Sequence, residues 1–172
     1  AGGKEVKAVV EPLDDLLDFT LLQGNVPQEE KFAGEHQAEA LEWHLRALLA
    51  ADGDLVVAPE TAIPFLPQQM PEGLWERLQR HFEGGSTAAL VGLPLGDERV
   101  GYTNSAAGLA PGQPLYRYDK QHLVPFGEFI PFAFKWFTRM MDIPLGDFER
   151  GPLVAPSFVV RGERVAPNIC YE

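Results

Sequence analysis

Three side chains able to support acyl transfer each follow directly on a short apolar run. Glu60 comes after Leu55-Val56-Val57-Ala58-Pro59, Lys120 after Leu115-Tyr116-Arg117-Tyr118-Asp119, and Cys170 after Val165-Ala166-Pro167-Asn168-Ile169. Such runs predict strands, and ligands of α/β sheets bind outside the carboxyl ends of the strands, so residues distant in sequence converge there. Cysteine is the nucleophile that needs least activation, a nearby carboxylate can take its proton, and a fixed ammonium can stabilise the oxyanion of a tetrahedral intermediate. Taken singly, each residue has a plainer role. A lone cysteine is commonly a small buried hydrophobe, a Pro-Glu-Thr loop a solvated turn, and a lysine after an aspartate a surface ion pair. Their shared placement at strand ends favours the chemical reading.

The elements that must carry these residues are legible from periodicity. Residues 19–23 suit a first buried strand, closed by Gly24-Asn25. Residues 35–51 carry Ala38, Leu41, Leu45, Leu48 and Leu49 at spacings of three and four, which predicts an amphipathic helix ending at Asp52-Gly53. His36 and His44 on it have no partner at metal-ligand spacing and are expected to be packed or solvated helix residues. A strand over 54–58, a helix over 73–83, and strands over 87–95, 102–109 and 115–119 follow, separated by glycine and proline turns. This order predicts a layered α/β sandwich. It contains no Gly-x-Gly-x-x-Gly after a strand, so no dinucleotide fingerprint. Residues 1–18 are expected to be a linker or lead-in, and 19–172 the catalytic domain.

Composition sets the outer bounds. At 172 residues, 45% hydrophobic and 23% charged, the chain suits one globular domain, made loop-rich by 15 Pro and 17 Gly. A formal net charge of −11 argues against nucleic acid or an anionic membrane surface as an electrostatically attracted partner. The single cysteine excludes an internal disulfide and a cysteine-based zinc site. No run of apolar residues is long enough to span a bilayer, and the first residues lack the apolar core of a signal peptide. Between Lys120 and Cys170, however, Phe126, Phe129, Ile130, Phe132, Phe134, Trp136, Phe137, Met140 and Met141 crowd together around Lys135 and Arg139. A core helix with a proline turn is one reading. The other is an arm at a bilayer interface, where aromatic rings sit at headgroup depth and cations meet phosphate.

Longer words surround the three reactive residues: Pro59-Glu60-Thr61-Ala62-Ile63-Pro64, Tyr118-Asp119-Lys120-Gln121-His122-Leu123-Val124-Pro125-Phe126-Gly127-Glu128, and Asn168-Ile169-Cys170-Tyr171-Glu172. In this order they resemble the nitrilase superfamily. The His-Leu-Val-Pro-Phe-Gly-Glu segment, with Gln23-Gly24-Asn25-Val26-Pro27-Gln28 upstream, is similar to the apolipoprotein N-acyltransferase family within it. The resemblance runs from about residue 21 to 172. It implies an α-β-β-α sandwich, of which this chain would hold the N-terminal part, since the family's fold continues past the nucleophilic cysteine.

The resemblance also implies a function. Cys170 would be the nucleophile, Glu60 the general base and Lys120 the oxyanion stabiliser, aided by the backbone N–H of Tyr171. Glu128 matches the family's additional glutamate and would hold Lys120, while Tyr171 and Glu172 match supporting positions. Phe32 stands where some members carry tryptophan, keeping an aromatic face without an indole donor. Phe32, Phe134, Trp136 and Phe137 would contact substrate or lipid. The implied reaction moves an acyl chain from a phospholipid to the α-amino group of a diacylglyceryl N-terminal cysteine on a bacterial apolipoprotein, with no metal or cofactor. The implied location is the bacterial inner membrane, with the catalytic domain facing the periplasm. Two alternatives stand beside this: a nitrilase-type amidase using the same Glu-Lys-Cys set on a small amide, and an inactive fragment acting only as an interaction module.

Overall fold

A computed structural model describes residues 4–7, 17–24, 34–124 and 148–170. Its centre is a six-stranded mixed sheet in the order β1-β2-β3-β4-β5-β6, formed by Lys4–Lys7, Phe19–Gln23, Leu55–Val57, Ala88–Asp97, Gly101–Leu109 and Tyr116–Asp119. The three strands β2, β3 and β4 run parallel, and each parallel step carries a helix: α1 (Gly34–Ala50) between β2 and β3, α2 (Leu74–Glu83) between β3 and β4. Parallel neighbours need such long crossovers, whereas the antiparallel pairs β4/β5 and β5/β6 are joined by short turns. The lead-in contributes β1, which pairs antiparallel with β2 at the sheet edge, an element the apolar pattern does not suggest.

The alternation of side chains along β4 divides the core in two. Ala89, Val91, Leu93 and Leu95 pack with Val56, Ala107 and Leu109, under Leu48 of α1 and Trp75, Leu78 and Phe82 of α2. The opposite face, with Leu55, Ala88 and Leu90, is covered by Phe158 and Val160. These belong to a separate two-stranded sheet, β7 (Phe158–Val160) and β8 (Glu163–Val165), joined through a turn at Arg161-Gly162. Because both faces of β4 are covered, its sequence is a nearly unbroken apolar run rather than an alternating one. Helices, the six-stranded sheet and the two-stranded sheet form successive layers, as expected of the sandwich.

One expected strand ends early. The run before Cys170 was expected to be extended through Ile169, but β8 stops at Val165, and residues 166–169 are irregular. Pro167 lacks a backbone N–H and so removes a donor that a ladder through this segment would use. His44, in turn, is packed against Trp43, ring edge to ring face, as a buried helix residue.

Candidate active site

β3 ends at Val57, and the chain turns through Pro59, Glu60 and Thr61 across the neighbouring strand. Two backbone bonds fasten this turn to β4: Ala58 N–H donates to the Leu90 carbonyl at 2.8 Å, and Ile63 N–H to the Gly92 carbonyl at 3.1 Å. The turn closes on itself where Ala62 N–H donates to the Pro59 carbonyl at 3.1 Å.

Lys120 follows β6 directly. Its N–H donates to the Asn104 carbonyl at 2.8 Å, and its own carbonyl accepts from the Gly151 N–H at 2.9 Å. The β5/β6 register pairs Ala106 with Tyr118 and Ser105 with Asp119. Since side chains alternate along a strand, Asn104, Ala106, Tyr118 and Lys120 share the face turned toward the second sheet. Asp119 takes the other face, where its Oδ1 accepts from Ser105 Oγ at 2.6 Å, Thr103 Oγ1 at 2.9 Å and Arg117 Nε at 2.8 Å. The backbone on either side of Lys120 is thereby held from both faces of the sheet.

The outcome is a carboxylate–ammonium pair. Lys120 Nζ stands 3.2 Å from Glu60 Oε1, and Asn104 Nδ2 donates to the same oxygen at 2.7 Å. Lys120 is 1% exposed, and a buried ammonium is tolerable only with paired charge and hydrogen bonds around it. Glu60 keeps 31% of its side chain open, which leaves the carboxylate reachable by a substrate or a thiol. Asn104 was not among the residues expected from sequence. Its signal was the polar trio Thr103-Asn104-Ser105 in an otherwise apolar strand, but only the strand register shows that the asparagine meets Glu60.

Cys170 is exposed and follows the irregular residues 166–169. Its neighbour Ile169 is buried against Ala106, two positions after Asn104, and Tyr118, two positions before Lys120, on the same face. The structure thus brings Glu60 and Lys120 into direct contact and roots the Cys170 segment on the same surface of β5 and β6. Phe32, Glu128, Phe134, Trp136, Phe137, Tyr171 and Glu172, together with the aromatic segment, lie outside the described residues. Among the described residues, no cluster of three His, Cys, Asp or Glu side chains could hold a metal ion, and no helix is long and apolar enough to cross a membrane.

No family model matches the chain. It is 56% identical over 162 residues to an apolipoprotein N-acyltransferase of Verminephrobacter eiseniae, covering 92% of this chain and 30% of that protein. A second apolipoprotein N-acyltransferase, from Ralstonia nicotianae, is 46% identical over 166 residues, covering 96% of this chain and 32% of that protein. The chain therefore spans about a third of the length of the curated relatives it matches. In fold it is similar to the crystal structure of a CN-hydrolase superfamily protein of Xanthomonas campestris, with a TM-score of 0.50 and 21% identity, covering 78% of this chain and 48% of that one. By sequence the chain thus matches about a third of the length of apolipoprotein N-acyltransferases, and by fold it is similar to a CN-hydrolase superfamily protein.

Proposed function

We propose that the protein containing this chain transfers an acyl group from a phospholipid to the α-amino group of a diacylglyceryl-modified N-terminal cysteine of apolipoproteins, through a thioester on Cys170. The observation that supports this reading is the Glu60–Asn104–Lys120 constellation, together with Ile169, the residue before the exposed Cys170, packed on Ala106 and Tyr118 of the same face. The names of the sequence relatives supply the substrate class.

In the first half-reaction Glu60 takes the Cys170 proton as sulfur attacks the ester carbonyl of the phospholipid. The Lys120 and Asn104 side chains both meet Glu60 at Oε1, and Oε2 is the oxygen proposed to carry the proton. The oxyanion that forms is stabilised by the Lys120 ammonium and the Tyr171 N–H. The carbon–oxygen bond then breaks, and Glu60 returns the proton to the departing glycerol oxygen, releasing a lysophospholipid. In the second half-reaction the lipoprotein amine attacks the thioester carbonyl, Glu60 accepts the amine proton, and the carbon–sulfur bond breaks as Glu60 passes that proton to the departing sulfur, giving the amide and regenerating the Cys170 thiol. Glu128 holds Lys120 from outside the described residues, Tyr171 and Glu172 support the nucleophile, and Phe32, Phe134, Trp136 and Phe137 face lipid. This reading places the whole protein in the bacterial inner membrane, with the site on the periplasmic side.

The test is transfer from phospholipid vesicles to a synthetic diacylated lipopeptide by the intact protein. Lys120→Ala should lower the acylation rate by the ~10²–10³-fold typical of losing one oxyanion donor. Near-normal turnover with weakened phospholipid binding would move Lys120 from the oxyanion to the lipid headgroup. Rapid hydrolysis of short amides without lipopeptide acylation would favour the amidase.

A further inference from the structure

We infer that Gly92 is a positioning residue for Glu60, a seat in the middle of β4 that fixes where the carboxylate stands. Leu90, Gly92 and Pro94 point to the face opposite the helices, and the Pro59-Glu60-Thr61 turn lies directly on that face. A Cβ at position 92 would run into the carbonyl oxygen of Pro59 and stand 2.8 Å from the Glu60 Cα and 2.9 Å from the Thr61 nitrogen. All three obstacles are backbone atoms, so no side-chain rotation relieves them. Gly92 is not among the glycines with positive φ, so an alanine could hold its backbone conformation; it is the space that excludes a side chain. Glycine inside a strand marks such a close approach of another backbone.

Two further observations show that the seat is specific. The turn is fastened to β4 on either side of the contact, at Leu90 and at the carbonyl of Gly92 itself. Thr61, a β-branched residue, is held at φ 55, in the left-handed region that side chains of this kind rarely occupy. Strain of this sort persists only where surrounding structure over-determines it and is concentrated at functional sites. The fastened turn and the missing Cβ together place Glu60 where Asn104 and Lys120 reach one of its oxygens at 2.7 and 3.2 Å. A displacement of the turn large enough to clear a methyl group would break both contacts.

The inference rests on the proposed role of Glu60 as base, and the experiment separates the two. In the intact protein, Gly92→Ala should lower kcat for lipopeptide acylation on the order of 10²-fold, the usual consequence of ~1 Å misplacement, with the phospholipid KM changed only a few-fold. In a Glu60→Gln background the same substitution should cost almost nothing more, because residues acting through one group are not additive. A purely structural glycine would give equal factors in both backgrounds, and that result would overturn the inference. A slow Glu60→Gln protein beside a Gly92→Ala protein of full kcat would overturn the seat alone. A Glu60→Gln protein at full rate would overturn the base assignment and the seat's catalytic consequence with it. Should Gly92→Ala fail to fold, Thr61→Gly decides: it relaxes the turn without crowding it and is expected to fold with kcat several-fold lower and KM unchanged. Unchanged kcat in that variant contradicts the seat.

Discussion

A double-mutant cycle on Glu60 and Lys120 measures the ion pair at the centre of the site. At the observed 3.2 Å, opposite unit charges attract by ~5 kcal/mol at an effective dielectric of ~20 and by ~1.3 kcal/mol in bulk water. Lys120 is buried, but Glu60 keeps 31% of its side chain in solvent, so the pair belongs between these limits. Its contact is a charge-assisted hydrogen bond, for which a net ~1.5–3 kcal/mol is typical, and we expect a coupling of about 2 kcal/mol. The cycle uses Glu60→Gln, which keeps an acceptor for Asn104, and Lys120→Met, which fills the buried volume without charge. Interactions that either residue makes elsewhere cancel in the cycle, leaving the pairwise term. Urea unfolding of the intact protein, followed by tryptophan fluorescence to which the buried Trp75 contributes, supplies the four apparent free energies. A coupling below about 0.5 kcal/mol, the level of an exposed surface pair, would refute the reasoning that the pair is formed in a desolvated setting.

Other consequences follow from single contacts. Asn104→Ala removes one of the two donors on Glu60 Oε1 and should lower the acylation rate several-fold, whereas Asn104→Asp sets a like charge against the carboxylate and should lower it further; equal rates for all three proteins would dismiss Asn104 from the site. Burial pushes the Tyr116 phenol above its ordinary value, so its contribution to stability is full at neutral pH and is lost as pH rises beyond about 10; Tyr116→Phe should flatten that part of the urea-midpoint profile and cost about 1 kcal/mol at pH 7 through loss of the bond to the Pro156 carbonyl. Replacing Phe134, Trp136 and Phe137 together by Ser should reduce transfer from bilayer phospholipid while sparing a short water-soluble ester; loss of both activities with loss of folded protein would make the segment core instead.

Much of the fold was legible because apolar spacing reports burial directly. Leu41, Leu45 and Leu48 recur at helical intervals, and α1 forms there; the runs before Glu60 and Lys120 are strands, with ends within a residue or two of those expected. Periodicity failed where no apolar pattern existed. Lys4–Lys7 carries one aliphatic residue among three charged ones, and its place beside β2 is a tertiary choice. It also failed before Cys170, where an apolar count ignored that Pro167 brings no N–H donor to a ladder. At the site, Glu60 and Lys120 were recognisable from the words around them. Asn104 was not, because its role depends on register: a shift of one residue along β5 would turn it to the helix side and bring Ser105 to the carboxylate instead. Gly92 was visible as a glycine inside a strand, but what approaches it is known only once the Glu60 turn is seen lying across β4.

The central claim, that acyl transfer passes through sulfur, is tested most directly by intact-protein and peptide mass spectrometry after incubation with a phospholipid of defined acyl chains and no amine acceptor. The account predicts a mass increase of one acyl group, mapped to the peptide containing Cys170, discharged by neutral hydroxylamine or by added lipopeptide, and absent from Cys170→Ala. An adduct that survives in Cys170→Ala, or acylated lipopeptide formed by that variant at the parent rate, would contradict it.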